Sequence, residues 1–191
     1  MRVRRVIFSV VLAYAVCSVV LAVVLAELAF HPARKSVIAR TIQPAASKFP
    51  LEPQDVSITS GDGFQLQGWF ARPPHANGDT VILLHGVGDN RQGVTTLAAR
   101  FLTAGYAVLM PDSRGHGASG GFATYGIKES DDLRLWYGWL RKREASGHVF
   151  GIGESMGAAI LLQASTCVPF SAIVAESPFA SFRQIAYIRV G

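Results

Sequence analysis

"GIGESMGAA", residues 151–159, decides how the rest of the chain is read. A serine stands between two glycines where the strand-like run "HVFGIGES" (148–155) gives way to the helix-like run "MGAAILLQAST". A sharp strand-to-helix turn brings neighbouring chain close at the two flanking positions, so Gly153 and Gly157 carry no side chain. The serine then sits in strained backbone with its Oγ exposed. The free N–H groups of a helix start favour a developing oxyanion beside it. This G-x-S-x-G spacing marks Ser155 as a candidate nucleophile. No histidine follows Gly157 to take its proton.

The segments on either side form a series. "DVSITS" (55–60) and "FQLQGWFA" (64–71) alternate at period two around Gly61-Asp62-Gly63, the pattern of a hairpin. "TVILLHG" (80–86) and "YAVLMPD" (106–112) are continuous apolar runs, expected of strands covered on both faces. Helices are expected through "VTTLAARFLTAG", ending at Gly105, and through "IKESDDLRLWYGWLRKRE" (127–144). The second turns Leu133, Trp136, Tyr137 and Leu140 toward the sheet and places acids early and Arg141, Lys142 and Arg143 late, as its dipole prefers. "SAIVAES" (171–177) closes the series as a sixth strand. Strands alternating with helices after an opening hairpin imply an α/β fold: a mostly parallel sheet with helices on both faces. Working groups in such sheets sit at the carboxyl ends of the strands. His85-Gly86, Asp112 and Ser155 all fall there.

"LLHGVGDN" (83–90) supplies a second part of the chemistry. A His-Gly pair ending a buried strand lets the next backbone N–H point toward the serine, so the N–H groups of Val87 and Met156 would form an oxyanion hole. One such donor is worth about 3 kcal/mol in the transition state. His85 itself is read as pinning the loop rather than acting as base. A rival reading takes Gly151, Gly153 and Gly157, with Glu176 about twenty residues on, as a dinucleotide fingerprint. Its third small residue belongs three after Gly153, where Met156 stands, and such sites use the first βαβ unit, which here carries His-Gly. No metal-ligand spacing or cofactor motif is visible, so no cofactor is expected.

With these segments in place, the chain resembles the α/β-hydrolases, in particular the serine-aminopeptidase-like and monoacylglycerol-lipase-like branch that includes membrane-anchored members. The resemblance rests on "TSGDGFQLQGWF" (59–70), "ILLHGVGDNR" (82–91), "GYAVLMPDSRGHGASGG" (105–121), "YGIKESDDL" (125–133), "GIGESMGAA" (151–159) and "AIVAESPFAS" (172–181). It implies hydrolysis of an ester, thioester or amide, small or lipid-like, through an acyl-serine. It also implies that Asp112 and Arg114 tie a structural loop beneath the site and that His116 is structural.

The family's sheet normally continues, with a triad acid after the seventh strand and the histidine after the eighth. Here the series stops after about six, as in a truncated fold. His31, His75, His85, His116 and His148 are the histidines present, and none suits the role of partner to Ser155. Glu176 could serve as a displaced triad acid or be structural, but an acid without a base solves nothing. Loss of a triad base can cost about 10⁶ in turnover. Two accounts follow: an incomplete membrane-anchored serine hydrolase of low activity, or a non-catalytic binding module that kept the elbow sequence. The first is preferred, because an inactive module gains nothing from retaining the glycines and the His-Gly turn.

At the other end, Val6–Ala26 carries no charge. As a helix it is about 31 Å long, near the hydrocarbon thickness. A signal peptide has a shorter apolar core and a small-x-small site after it, and a buried core helix seldom stays charge-free so long. An uncleaved single-pass anchor is therefore expected over residues 1–30, then a proline-bearing stalk over 31–52, then the hydrolase domain over 53–191. Arg2, Arg4 and Arg5 before the span favour a cytosolic N-terminus and an exterior or periplasmic domain, against a counterweight from Arg34, Lys35, Arg40 and Lys48. The net charge of +5 comes largely from these flanks rather than from a phosphate-tracking face, so a nucleic-acid partner is not expected. Cys17 and Cys167 are too differently placed to bridge, and nothing in the sequence sets an oligomeric state.

Overall fold

A computed structural model of the chain describes residues 2–38, 41–42, 51–144, 147–181, 183–184 and 187. Arg40, Pro44, Lys48 and Pro50 of the stalk reading, and most of the closing "AYIRVG", lie outside the described residues.

Among the described residues six strands form one sheet in the order β1-β2-β4-β3-β5-β6. The hairpin strands β1 (Gln54–Thr59) and β2 (Gln65–Ala71) are antiparallel, and β2 is antiparallel to β4 (Ala107–Pro111). From β4 through β3 (Thr80–Leu84), β5 (Val149–Glu154) and β6 (Ala172–Glu176) every pairing is parallel. Every residue of β3 and β4 is buried, which is why their sequences are unbroken apolar runs. β6 alternates between exposed and half-buried at the edge of the described sheet.

Helices cover both faces. Residues Leu133, Trp136 and Leu140 of α3 (Glu129–Arg143) and Met156, Ile160 and Leu161 of α4 (Met156–Ala164) pack on Leu66, Phe70, Ile82, Leu84 and Leu109. Tyr137 reaches the same cluster from a half-buried position. On the opposite face Ala98 and Leu102 of α2 (Thr95–Thr103) meet Trp69, Val81, Leu83, Val108 and Met110. Each buried Val, Leu, Ile, Phe or Met side chain among these contributes about 1.5–3 kcal/mol when removed from water. α2 ends where Gly105 takes φ +90°, a conformation that favours glycine.

α1 (Arg2–Phe30) contains the charge-free run, and none of its residues is buried. It is long and apolar enough to cross a membrane, a property that a signal sequence shares. The chain after it lies against the loops of the domain. Arg34 donates to the carbonyls of Ser119 and Gly121, Lys35 pairs with Asp89 at 2.8 Å, and the Ile38 N–H donates to Gln92. Ile42 is 1% exposed among the α2-side core and bridges to Leu51.

Candidate active site

The turn from β5 into α4 places Ser155 at the helix N-terminus with φ 51° and ψ −107°. A positive φ at a non-glycine residue is a strained conformation, costing of the order of 1–3 kcal/mol. Backbone bonds hold it: the Ser155 N–H donates to the Glu176 carbonyl at 2.8 Å, and the Ala159 N–H donates to the Ser155 carbonyl. The flanking glycines are sterically required. A Cβ at Gly153 would stand 2.5 Å from the Gly157 carbonyl carbon, and one at Gly157 would stand 2.5 Å from the Leu84 oxygen. The serine side chain does not cap the helix, and among the described residues none hydrogen-bonds its Oγ.

The structure brings Ser155, Met156 and the turn after β3 to one end of the sheet. A Cβ at Gly86 would lie 3.7 Å from Ser155 Cβ, so this turn abuts the serine. Val87, next in the turn, is 48% exposed, whereas Met156 is fully buried as the first residue of α4. Glu176 contributes its carbonyl to the Ser155 N–H, while its side chain faces solvent opposite Glu154 across the β5–β6 ladder.

The two histidines nearest this end are held by backbone. His85 is 1% exposed; its Nε2 accepts from the Ser113 N–H at 3.1 Å, which leaves Nδ1 to donate to the Gly86 carbonyl at 2.8 Å. Both nitrogens are committed, and burial pushes the ring's pKa below its ordinary value, so it is a neutral strut between the turns after β3 and β4. His116, its ring centre 5.3 Å from that of His85, bonds the Arg114 carbonyl through Nδ1. Its Nε2 is buried with no partner among the described residues, and burial lowers its pKa too. The other three lie elsewhere. His148 precedes β5 at the far end of the sheet and bonds Asp79, His31 bonds Glu27 at the end of α1, and His75 lies exposed in the loop before β3.

Beneath the site, Asp112 is fully buried and accepts from the Arg91 backbone, the Arg91 guanidinium at 2.5 Å and the Ala118 N–H. Arg114 forms a two-pronged pair with Asp132 at 2.7 and 2.8 Å and reaches Asp62 in the hairpin turn. Arg114, Lys128 and Ser60 together hold the Asp62 carboxyl well below the usual carboxylate range. Glu129 accepts from both donors of Thr124 and from the Gly126 N–H, which braces Tyr125 at φ 55°. The sequence reading gave Asp62 a place only in the hairpin turn and Glu129 only among the early acids of its helix, and gave Arg91 no part. The partners that tie Asp62 to Arg114 and Arg91 to Asp112 are distant in the chain.

Among the described residues no group of acidic, histidine and cysteine side chains could hold a metal ion. What the arrangement offers chemically is a serine on a strained turn, unpaired at Oγ, beside free helix-start donors.

Comparison with known proteins agrees with this layout. The Bacillus subtilis protein YqkD, itself uncharacterized, is 38% identical over 143 residues, covering 72% of this chain and 47% of its own length. The chain spans about half the length of the curated relatives it matches. The Pyrococcus furiosus esterase Pf2001 superposes with a TM-score of 0.66 at 31% identity, over 84% of this chain and 68% of the esterase. XC6422 of Xanthomonas campestris, described as an α/β serine hydrolase without a lid, gives 0.58 at 27% identity over 65% of this chain and 61% of its own. Residues 75–188, from the loop before β3 past the end of β6, match the serine aminopeptidase S33 family, and the chain belongs to that family of α/β-hydrolases.

Proposed function

We propose that the chain carries the nucleophile side of a serine hydrolase. Ser155 Oγ attacks an ester, thioester or amide carbonyl of a small or lipid-like substrate, and the backbone N–H groups of Val87 and Met156 receive the oxyanion. The acyl group passes to serine as the leaving group departs, and water then releases the acid. The observation that carries this reading is Ser155 at φ 51° between glycines whose replacement would collide with backbone. The proton of Ser155 needs a histidine from outside these 191 residues, because the two histidines nearest its end of the sheet are tied to backbone or buried. Low turnover follows for the chain alone. α1 serves as a single-pass anchor over residues 1–30, with the domain on the exterior or periplasmic side.

The unpartnered Oγ favours a second reading, a non-catalytic module, and one experiment separates the two. Free imidazole can stand in for a missing base. A fluorophosphonate probe is expected to label Ser155 in proportion to added imidazole, with no labelling in Ser155→Ala. Absence of labelling at any imidazole concentration refutes the catalytic reading and leaves the module.

A further inference from the structure

α1 is rooted in the loops at the site-bearing end of the sheet. The Phe30 carbonyl accepts from the Ala123 N–H at 2.9 Å and the Ala29 carbonyl from Tyr125 Oη at 2.5 Å. The Phe30 and Phe122 rings meet edge to face, 6.5 Å between centres. Just beyond, Arg34 binds Ser119 and Gly121, Lys35 binds Asp89, and Asn90 donates to the Lys35 carbonyl. All of these partners lie in the two loops that follow the carboxyl ends of β3 and β4. Ser155 follows the carboxyl end of β5, parallel to β3.

The spacing leaves no slack. The charge-free run ends at Ala26, and the first root contact is at Ala29, about 5 Å further along a helix. The headgroup layer on one side of a bilayer is about 5–8 Å deep. Among the exposed large apolar side chains outside α1, Phe64 (38%), Val87 (48%) and Ile127 (78%) sit on loops at this same end, while Ile38, Leu162 on α4, Val174 on β6 and Tyr187 are exposed as well. Phe64 belongs to the hairpin turn, which the antiparallel β2–β4 pairing carries to the carboxyl end of β4.

We propose that the site-bearing end of the sheet rests on the bilayer surface, with these loops at headgroup depth, so that Ser155 opens toward lipid rather than bulk water. This rests on the reading of α1 as a membrane span. The occupant of the apolar rim is the lipid surface, because the helix that would enter the bilayer is continuous with that rim.

The test places a bimane label on the full chain in phosphatidylcholine vesicles. Cys17 is labelled in Cys167→Ser, and Ile127→Cys and His75→Cys are each labelled in a background with both native cysteines changed to serine. His75 is exposed in the loop before β3, at the amino end of the parallel strands. A nitroxide on a mid-chain lipid carbon should quench the Cys17 label. A nitroxide on the lipid headgroup should remove about half of the emission at position 127 and leave position 75 unchanged, given the depth of that layer. Cys17 quenched with 127 unquenched, or 75 quenched as strongly as 127, overturns the orientation while the membrane span stands. Cys17 unquenched overturns the span and the orientation with it.

Discussion

Gly157→Ala tests whether the elbow is held by backbone packing. The new Cβ would lie 2.5 Å from the Leu84 oxygen and 2.7 Å from its carbonyl carbon, where ordinary contact needs about 3.5 Å. Either α4 or the end of β3 must therefore move by about 1 Å. Leu84 is 4% exposed and paired with Gly153 in the β3–β5 ladder, so neither side yields freely. Overpacking of this kind costs about 1–3 kcal/mol. For a domain of this size each kcal/mol lowers the melting point by about 2–4 °C, so a fall of about 2–12 °C is expected. Gly138→Ala is the matched control. Gly138 lies within α3 with nothing within 4 Å of a built Cβ, so alanine there gains up to about 1 kcal/mol of helix propensity. Far-UV circular dichroism melts of the full chain in detergent read both variants. If Gly157→Ala melts with the wild type while Gly138→Ala behaves as expected, the steric reasoning about the elbow is wrong.

The buried histidines give the fold an acid-sensitive range. Burial holds His85 and His116 below their ordinary pKa, so the unfolded chain binds more protons and stability falls as pH drops below about 6.5. Denaturant titrations across that range should show His116→Gln with a shallower loss, by at most about 1.4 kcal/mol per pH unit; an unchanged slope would show that His116 does not titrate on unfolding. Arg91→Met leaves the buried Asp112 carboxylate without its cation, and a cost of about 3 kcal/mol is expected in the same titration. A loss under about 1 kcal/mol, the scale of an exposed pair, would mean that the Asp112–Arg91 pair does not anchor the loop.

Much of the fold was legible because its signals are local. The mostly apolar β3 and β4 are the strands buried on both faces, and the alternating "DVSITS" and "FQLQGWFA" form the hairpin. Ser155 and His85-Gly86 meet because parallel strands bring their carboxyl ends together. What stayed hidden is carried by partners without a sequence signature. Arg114 crosses 52 positions to Asp62, and Arg34 crosses 85 to a backbone carbonyl of Ser119. A carbonyl exists at every residue, so no pattern could have shown that the chain read as a stalk begins by lying along the domain. Tyr125 at φ 55° is similar: Glu129 grips both of its neighbours, through donors that carry no sequence pattern.

The geometry of the elbow keeps apart two contributions that a catalytic triad combines. The strain at Ser155 is sustained by contacts inside the chain: the Glu176 carbonyl, the Ala159 N–H, and glycines packed against Leu84 and α4. None of these depends on a histidine. The serine can therefore keep its position while its hydroxyl stays protonated, and placement and proton transfer become separable quantities. The strut formed by His85 reinforces that separation. By spending one ring nitrogen on the Gly86 carbonyl and the other on the Ser113 N–H, it fixes the turn that carries Val87 and forfeits any part in taking a proton. A histidine of the adjoining turn is thus part of the scaffold.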